Sequence, residues 1–491
     1  MAREINYNEG AMKAPQAEFP DKALFVELFG ADAYAVGGFV RDFLRGIPSG
    51  DVDILVAGHP LEDIVARLEP HGKVDLVGRS FGIIKFTVRG KTYDVALPRT
   101  DRTAGDGVRG HKDIRVLADP SLPVEADLER RDFRCNSIAL RLSDGRLVDP
   151  FGGAADIAAR LLRVTNPRAF PEDPLRVLRA ARFASVLGFA VDPAVYPLAR
   201  GVDLAGLSVE RVNEELFKIL LLSERPSLGL EEMFKLDALR RLFPELYALT
   251  LVIQDSVFHP EKDVFGHHTV WHHTRLAVDQ AARLARLFKL APGASLALTL
   301  AALYHDIGKA ETTQWEFKRG RMVITSAGHD GASERLARKI FARFRIFSWN
   351  GTPLRKTVLM LIKTHHRASE LWLRRESVTR KAFNRFAADT GGEIELAIYL
   401  DAADRAGRRE RPVRGLDREA KWLLAKFEEL RVSRATIRPL VLGRDLIGLG
   451  VAPGPGMGRM LEEIYRRQLD NEFLTRAKGL KIAKSLIGGT P

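Results

Sequence analysis

The chain has 491 residues, of which 46% are hydrophobic and 28% are charged. This composition is typical of a soluble globular protein of roughly two to four domains and excludes a disordered chain. No apolar run is long enough to span a bilayer, and the first twenty residues lack the continuous apolar core of a signal peptide. A single cysteine, Cys135, excludes an intramolecular disulfide. Together these features predict a cytoplasmic protein without a membrane partner.

Lysine and arginine outnumber aspartate and glutamate by 76 to 63, which gives a formal net charge of +13. An excess of this size favours a polyanionic partner such as RNA, and an ordinary basic protein is the alternative. The arginines cluster late in the chain, around 374–380 and 405–414.

The first 150 residues alternate short strand-like runs with helical runs. The predicted strands lie in AYAVGG, DVDILVAG, FGIIKFTV, KTYDVALP, NSIALRL and GRLVDP, which are separated by Gly, Pro and Asp turn signals. From about residue 155 the pattern becomes helical, with long amphipathic stretches. The predicted fold class is therefore α+β, with a mixed-sheet head on a mostly α-helical body.

Composition also predicts domain boundaries. The predicted division is a head over 20–153, a helical neck over 154–255, a middle domain over 256–412 and a helical tail over 413–491. The Pro-bearing stretch SVFHPEKDVFG marks the boundary at about 255–265, and the Arg-rich segment near 407–415 marks the next linker.

Two acids separated by one residue, Asp51 and Asp53, lie in the predicted strand DVDILVAG. Side chains alternate faces along a strand, so we expect both carboxylates on one face, where they can hold hard divalent cations. Two metal ions there would activate an attacking hydroxyl and stabilise a leaving pyrophosphate, which is nucleotidyltransferase chemistry. A solvated strand end is the alternative. Asp94, on a probable neighbouring strand, either completes or supports the metal site.

The turn VGGFVRD places Gly37 and Gly38 between a strand and a helix. Paired glycines let backbone amides approach phosphate oxygens, and a helix N-terminus adds a favourable dipole. Arg41 would then reach a triphosphate, and Arg99 would meet phosphate beyond the strand that carries Asp94. A purely structural Gly-Gly turn is the alternative.

The segment LERRDFRCNSIAL (128–140) concentrates polar residues before an apolar strand. Asp132 and Asn136 can hydrogen-bond ribose hydroxyls, and Arg130, Arg131 and Arg134 can hold phosphates. A charged helix-to-strand junction is the alternative.

The segment PEDPLRVLRAARFASVLGF (171–189) begins with a helix-start signature. Asp173 and Arg176 are three residues apart, so we expect them on adjacent turns of one helical face. Cytosine and adenine each present an amine donor beside a ring-nitrogen acceptor, which a carboxylate and an arginine would match. Guanine and uracil present the reverse pattern and would leave both protein groups unpaired. The pair thus predicts acceptance of CTP and ATP; an intrahelical salt bridge is the alternative.

These segments, in this order, resemble the bacterial class II tRNA nucleotidyltransferase and poly(A) polymerase family. The matching pieces are GGFVRD…DVD, RRDFRCNSIA, DPFGGAADI and EDPLRVLRAARF, followed by LSVERVNEELFKIL (207–220). The resemblance covers roughly residues 30–245 and implies a polymerase-β-like head that adds CCA to tRNA 3′ ends without a nucleic-acid template. It also implies that the neck binds nucleotide and RNA.

The resemblance implies roles for individual residues. Asp51 and Asp53 would be catalytic and bind Mg²⁺, and Asp173 with Arg176 would be the template for the incoming base. Asp149, Gly152 and Gly153 match a family hinge element. The implied nucleotide-binding set is Gly37, Gly38, Arg41, Arg131, Asp132, Asn136, Asp173, Arg176 and Arg179.

The chain departs from the family pattern at Arg134, Cys135 and Ser137, where Thr, a branched apolar residue and Ala are usual. The segment between Arg99 and Asp113 is also Gly-rich, and in the family this region helps to decide how much of the CCA end is made. An A-adding enzyme and a poly(A) polymerase therefore stay open as alternatives.

A second set of polar residues lies between 273 and 404. Its members are His273, the pairs His305–Asp306 and His365–His366, His329 and Asp404. Burying a His-Asp pair in an apolar helix without a partner is costly, and imidazoles with carboxylates suit a divalent transition metal such as Ni, Mn, Fe or Zn. Two metals bridged by Asp306, or a single metal, would activate water against a phosphoester.

This order of ligands, with YHDIGK at its centre, resembles the HD phosphohydrolase superfamily over 265–410. The resemblance implies that His273, His305, Asp306, His329, His365 and Asp404 bind the metal and that Lys309 assists phosphate binding. A head followed by an HD domain resembles the long form of CCA-adding enzymes, with tRNA, CTP and ATP as partners. An inactive HD fold is one alternative; an HD phosphohydrolase whose head only binds RNA is another. The tail from 440 to 473 resembles the closing segment of the same family.

Overall fold

The computed structural model describes residues 19–77, 83–103, 114–318, 320–409, 412–430, 432 and 438–488. These residues form two compact units. The first holds the described residues up to Ile219 together with Leu228–Leu242, and the second holds Leu220–Ser227 and the described residues from Phe243 onward. The finer division into four domains stays a prediction. Within the described ranges, no helix is both long and apolar enough to cross a membrane.

The head is built on a mixed sheet. Its strands and the hairpin beside it are β1 (Ala33–Val36), β2 (Asp53–Val56), β3 (Lys73–Val77), β4 (Ile83–Val88), β5 (Lys91–Ala96), β6 (Arg99–Thr103), β7 (Ile114–Ala118), β8 (Ala139–Arg141) and β9 (Leu147–Val148). Among the described residues the sheet order is β3-β4-β5-β2-β1-β8-β9, and β6 pairs with β7. Strands β2 and β5 are parallel, and this pairing sets Asp53 opposite Asp94.

All six predicted strands are confirmed, whereas β3 and the β6–β7 hairpin are absent from the prediction. Strand β3 is largely exposed and β6 has the sequence RTDRT, so neither shows the apolar alternation that identifies a half-buried strand. The head's helices are α1 (Lys22–Phe29), α2 (Gly38–Leu44), α3 (Leu61–Leu68), α4 (Val124–Glu129) and α5 (Gly153–Ala158). Phe25, Ile64 and Phe86 are fully buried in its core.

Beyond the head the chain is mostly helical, so the predicted α+β architecture is confirmed. The first unit continues with α6 (Leu175–Leu187), α7 (Val195–Arg200), α8 (Val209–Leu222), α9 (Pro226–Lys235) and α10 (Ala238–Leu242), and with the parallel pair β10 (Leu161–Leu162) and β11 (Ala190–Val191). Helices α8 and α9 extend across the division between the two units.

In the second unit the helices over 270–287, 354–364 and 394–407 pack against α13, whose sequence PGASLALTLAALY is mostly buried. Its elements are α11 (Pro244–Ala248), α12 (Val270–Leu287), α13 (Pro292–Tyr304), α14 (Lys309–Thr312), the hairpin β12 (Gln314–Lys318) and β13 (Arg321–Thr325), α15 (His329–Arg343), α16 (Leu354–Thr364), α17 (Arg367–Leu373), α18 (Arg380–Asp389), α19 (Ile394–Gly407), α20 (Arg418–Glu429), α21 (Gly443–Ile447), α22 (Pro455–Leu469) and α23 (Arg476–Gly488). The tail has its own small core around Phe473.

The element predicted as a hinge is a tightly closed loop. Asp149 Oδ1 accepts from the Gly153 amide at 2.7 Å, and Oδ2 accepts from the Ala154 amide at 2.9 Å. Gly152 has a φ of +76°, a left-handed conformation that favours glycine. A Cβ on Gly153 would lie 2.1 Å from the Arg134 carbonyl oxygen. The loop thus packs directly on the RRDFR segment, and its hinge role stays a prediction.

We expect Gly153→Ala to destabilise the head by about 1–3 kcal/mol, because the added methyl group would collide with backbone. Thermal unfolding followed by circular dichroism would measure this as a lower melting temperature. Gly50→Ala is the matched control, since a Cβ there meets open space. Equal melting temperatures for the two variants would contradict the close approach.

Candidate functional site

A cleft of about 550 Å³ in the first unit gathers the nucleotide-binding residues that the sequence predicts. The predicted residues that line it are Gly37, Gly38, Arg41, Asp53, Arg99, Arg130, Arg131, Asp132, Asn136, Asp173, Arg176 and Arg179. They come from the turn into α2 and that helix, the starts of β2 and β6, residues 130–136, and the segment from 173 into α6. One cavity thus joins the predicted metal, ribose and base positions.

The acidic end of the cleft lies at the start of β2. The strand begins at Asp53, so Asp51 lies just before it and the prediction that both acids belong to the strand is corrected. Enclosure by the cleft raises the pKa of Asp53, although the side chain keeps solvent access; Arg131 lowers it, and Asp51 and Asp94 raise it further. Gathered carboxylates that disfavour one another's charge fit a divalent cation held through oxygen.

Asp94 has a cationic partner in this structure. Lys85 Nζ lies 3.0 Å from Asp94 Oδ1 across the β4–β5 pair, and this carboxylate raises the pKa of Lys85. Both groups are well exposed, so the pair contributes little to stability. The lysine neutralises the third carboxylate at the point where a cation is predicted.

The absence of a side chain at Gly37 leaves space for a neighbouring residue, and its amide is already hydrogen-bonded. Its amide donates to the Ile138 carbonyl at 3.4 Å, and its φ is +70°. A Cβ at this position would lie 2.8 Å from Arg131 Nη1. The glycine therefore lets the Arg131 guanidinium lie against the turn, which differs from the predicted amide contact with phosphate.

The predicted ribose pair forms a buried network. Asp132 Oδ1 accepts from Asn136 Nδ2 at 3.1 Å and Oδ2 accepts from Arg179 Nε at 2.6 Å. Arg41 Nη1 donates to Asn136 Oδ1 at 2.8 Å. Although burial works to raise it, Arg179 and the hydrogen bonds hold the pKa of Asp132 below its usual value. The network fixes the rotamers of both residues.

Asp127 holds two arginines of the cleft, and it was absent from the prediction. This fully buried carboxylate accepts from Arg130 through Oδ1 at 2.9 and 2.6 Å and from Arg131 through Oδ2 at 3.1 and 2.9 Å. Each arginine is thereby held in a two-bond fork that aims it at the cleft. The spacing of three and four residues along α4 was a readable signal.

The predicted base-reading residues have separate partners. Asp173 precedes α6, so the prediction that it shares a helical face with Arg176 is corrected. Both Asp173 oxygens lie 3.1 Å from Arg211 Nη2, and Arg211 was absent from the prediction. Arg176 donates to the carbonyls of Ala169 at 2.5 Å and Arg130 at 2.6 Å. Asp173 therefore pairs with Arg211, and the alternative prediction of an intrahelical salt bridge between Asp173 and Arg176 is wrong.

The second unit brings the predicted HD residues together. His273 Nε2 lies 2.9 Å from Asp404 Oδ1, and His305 Nε2 lies 3.3 Å from Asp306 Oδ2. His329 Nε2 lies 3.3 Å from Asp306 Oδ1. These contacts join α12, the ends of α13 and α15, and α19 in one buried centre.

The imidazoles in this centre are oriented alike. His305, His329 and His365 each place Nδ1 within 2.9 Å of the backbone carbonyl three residues earlier. That bond assigns a proton to Nδ1 and directs Nε2 inward. Although burial works to lower it, Asp306 and Asp404 raise the pKa of His305 to about 10, so a metal ion there would displace the Nε2 proton. The Nε2 atom of His365 is buried without a hydrogen-bond partner. An orphaned buried acceptor in a group of imidazoles and carboxylates fits a divalent metal ion.

Burial and the neighbouring charges together set the protonation states of the carboxylates and imidazoles in this centre. Despite burial, His305 and Lys309 hold the pKa of Asp306 well below its usual range, and Arg408 does the same for Asp404. Burial and the neighbouring imidazoles hold the pKa of His365 well below its usual value. Both carboxylates are thus ionised and His365 is neutral, as metal ligands must be.

His366 also reaches the centre, with Nε2 lying 3.1 Å from His329 Nε2. The sequence reasoning placed it beside His365 without counting it as a ligand. Its ring nitrogen, with those of His329 and His365, forms a group close enough to share one ion. Lys309 Nζ donates to Gln254 Oε1 at 2.8 Å and lies 2.7 Å from Asp306 Oδ2. Its predicted role toward phosphate stays a prediction.

Two further residues come from the stretch that was predicted as a domain boundary. Glu261 Oε1 lies 2.9 Å from His273 Nδ1 and 3.0 Å from His259 Nδ1, and all three side chains are buried. Although burial works to raise it, the two imidazoles lower the pKa of Glu261 to about 2. A carboxylate on the far nitrogen of a ligand histidine fixes its tautomer and orientation. The segment HPE was the signal in the sequence.

We expect Glu261→Gln to weaken metal binding at this centre by about 10–100-fold, because the amide cannot hold His273 as a carboxylate does. Isothermal titration of the metal-free chain with Mn²⁺ would measure the change. Glu376→Gln is the matched control, because Glu376 is an exposed carboxylate of the same unit. Equal Mn²⁺ affinity in the two variants would contradict the positioning role.

Three family models match separate ranges of the chain. The poly A polymerase head domain model matches residues 33–163, the "Probable RNA and SrmB- binding site of polymerase A" matches 199–249 and the HD domain matches 270–408. The solved Thermotoga maritima CCA-adding enzyme, complexed with tRNA, is 20% identical with a TM-score of 0.54 over 96% of this chain and 97% of that chain. At this identity the likeness shows the fold alone.

Two curated relatives carry the assignment. The multifunctional CCA protein of Stenotrophomonas maltophilia K279a is 44% identical over 293 residues, which span 58% of this chain and 66% of that protein. The multifunctional CCA protein of Methylococcus capsulatus is 36% identical over 450 residues, which span 88% of this chain and 93% of that protein. The chain belongs to the multifunctional CCA protein family, whose members join a class II nucleotidyltransferase head to an HD domain.

Proposed function

We propose that this chain adds CCA to the 3′ ends of tRNA from CTP and ATP, without a nucleic-acid template. The observation that carries the proposal is the single cleft of about 550 Å³, which joins Asp53 to the Asp132–Asn136 pair and to Asp173 and Arg176. A metal ligand, a ribose site and a base-reading pair within one cavity are what nucleotide transfer requires. Similarity to a multifunctional CCA protein over 88% of this chain supports CCA addition over the A-adding and poly(A) polymerase alternatives.

In the proposed reaction the terminal 3′ hydroxyl of the tRNA attacks the α-phosphorus of the nucleotide. The new O–P bond forms as the bond to pyrophosphate breaks, and the hydroxyl proton leaves to solvent. Mg²⁺ at Asp51 and Asp53 would lower the pKa of the attacking hydroxyl and neutralise the leaving group. Arg130 and Arg131, fixed by Asp127, are aimed to hold the triphosphate.

Base selection is proposed for Asp173 and Arg176. Asp173 would accept a hydrogen bond from the exocyclic amine of cytosine or adenine, with Arg211 holding its carboxylate in place. Two backbone carbonyls hold the guanidinium of Arg176, which would donate to the ring nitrogen. Guanine and uracil would leave these groups unpaired in a partly desolvated cleft, which is costly.

For the HD centre we propose phosphohydrolase activity at RNA ends. Water attacks the phosphorus, the bond to a ribose oxygen breaks and that oxygen takes up the proton. His273, His305, Asp306, His329, His365 and Asp404 would hold the metal, for which Ni, Mn, Fe and Zn are the candidates. A bound metal would supply a hydroxide nucleophile at neutral pH. The uniform Nε2 orientation of the histidines supports this assignment.

If the head transfers nucleotides and the HD centre hydrolyses phosphoesters, one variant should lose the first activity and keep the second. We expect Asp53→Asn to lower incorporation of ATP into tRNA ending in CC by at least about 100-fold, since a charge that stabilises the transition state is lost. Hydrolysis of 2′,3′-cyclic AMP should stay as in the unaltered chain. Asp75→Asn, at an exposed acid of the same sheet, is the control and should keep both activities. Full incorporation by Asp53→Asn would contradict the metal assignment.

We expect Asp173→Ala to lower the preference for CTP over UTP on the order of tenfold or more, because the acceptor for the base amine is gone. Steady-state kcat/KM for each triphosphate, with a tRNA lacking CCA as primer, would measure the preference. The Mg²⁺ concentration for half-maximal rate should not change, since Asp173 is not one of the proposed metal ligands. Unchanged discrimination against UTP and GTP would refute the templating role.

A further inference from the structure

A groove of about 500 Å³ lies between α15 and α16 of the second unit. Leu359 and Met360 contribute apolar floor, and the rim carries Arg338, Arg355, Lys356 and Lys363. Glu334 is the acid in this lining, and it is paired with Arg338. The groove is thus apolar at its base and positively charged at its edge.

Each of the two helices that form the groove has one end at the metal centre. Helix α15 begins at His329, and α16 ends at Thr364, directly before His365. Lys363 is two residues before His365, and Lys356 is nine residues before it, about 13 Å along the helix axis. These lysines, spaced seven residues apart, share one face of α16. Lys363 and His365 point about 200° apart around the helix, so the groove runs along the outer face of the two helices. Its inner end lies at the helix ends that carry the half-buried His329 and His366.

An exposed aromatic ring stands at the outer end of the groove. Phe347 follows α15 and is 55% exposed, with the Arg355 guanidinium 5.6 Å from its ring centre. An exposed ring beside cations is the arrangement that single-stranded nucleic acids use, because bases stack on the ring and phosphates meet the charges. An acidic peptide would also match the charges of the groove, but it has no bases that would stack on an exposed aromatic ring.

We propose that this groove binds the single-stranded 3′ end of an RNA and leads its terminal phosphate group to the HD centre. The proposal rests on the phosphohydrolase function proposed above for that centre. Lys356 and Arg355 would contact upstream phosphodiesters, and Phe347 would stack on an upstream base. Lys363 would contact the last phosphodiester before the chain turns past the ends of α15 and α16 to the centre.

Two substrates with the same reacting group test the proposal. One is an oligoribonucleotide ending in a 2′,3′-cyclic phosphate, and the other is 2′,3′-cyclic AMP, which has no upstream nucleotides. Hydrolysis by the full chain is measured with Mn²⁺, Fe²⁺, Ni²⁺ and Zn²⁺ in turn, and the most active metal is kept. For each variant the readout is KM for the oligoribonucleotide divided by KM for the mononucleotide.

We expect Lys356→Glu and Phe347→Ala each to raise this ratio about tenfold, because charge contact or stacking with upstream nucleotides is lost. Lys339→Glu and Phe317→Ala are the matched controls, since both residues are exposed in the same unit outside the groove. We also expect the KM for the oligoribonucleotide to depend less steeply on salt in Lys356→Glu.

A ratio that changes no more in the groove variants than in their controls would overturn the proposal and would leave the groove to a protein partner. Absence of hydrolysis of either substrate with every metal would instead refute the phosphohydrolase function on which the proposal rests. The two failures are therefore distinguishable.

Discussion

The free-energy cost of burying carboxylates organises both units of this protein. In the head, fully buried Asp127 is neutralised by Arg130 and Arg131, and Asp132 by Arg179. Because a buried charge without a partner is strongly destabilising, each pairing also fixes an arginine at the wall of the cleft. Asp53 is different: its pKa is raised by enclosure and by other carboxylates, so a cation is the partner that would stabilise its charge.

The same constraint shapes the second unit. Asp306 is balanced by Lys309 and Asp404 by Arg408, and the imidazoles between them keep Nε2 directed inward. Arg408 contacts Asp404 Oδ2 and leaves Oδ1 to the imidazoles. At Asp306, Lys309 and His305 share Oδ2, and His329 lies beside Oδ1. Glu261 extends the pattern outward by holding the distal nitrogen of His273. The centre is therefore held together by several linked charge pairs and does not depend on any single ligand.

Features with a local signal could be predicted from the sequence. The six strands show alternation or apolar runs, and the HD ligands occur in short segments with a recognisable order. Pairings between residues far apart in the sequence could not be predicted. Asp173 contacts Arg211, which lies 38 residues later, and Glu261 contacts His273 from a stretch that resembles a linker. Asp51 lies outside β2 because the strand begins where pairing with β1 begins, at Asp53. Such outcomes depend on tertiary packing, which periodicity does not encode.

Incorporation of labelled CTP and ATP, separately and together, into tRNAs that end before CCA, after C and after CC, and into oligo(A), tests the central claim most directly. The account predicts addition of C, C and A to the first tRNA, with synthesis stopping after A. Use of ATP alone on the CC-ended tRNA would make the chain an A-adding enzyme, and long tails on oligo(A) would make it a poly(A) polymerase. Absence of incorporation on every primer would contradict the account and leave the HD centre as its enzymatic site.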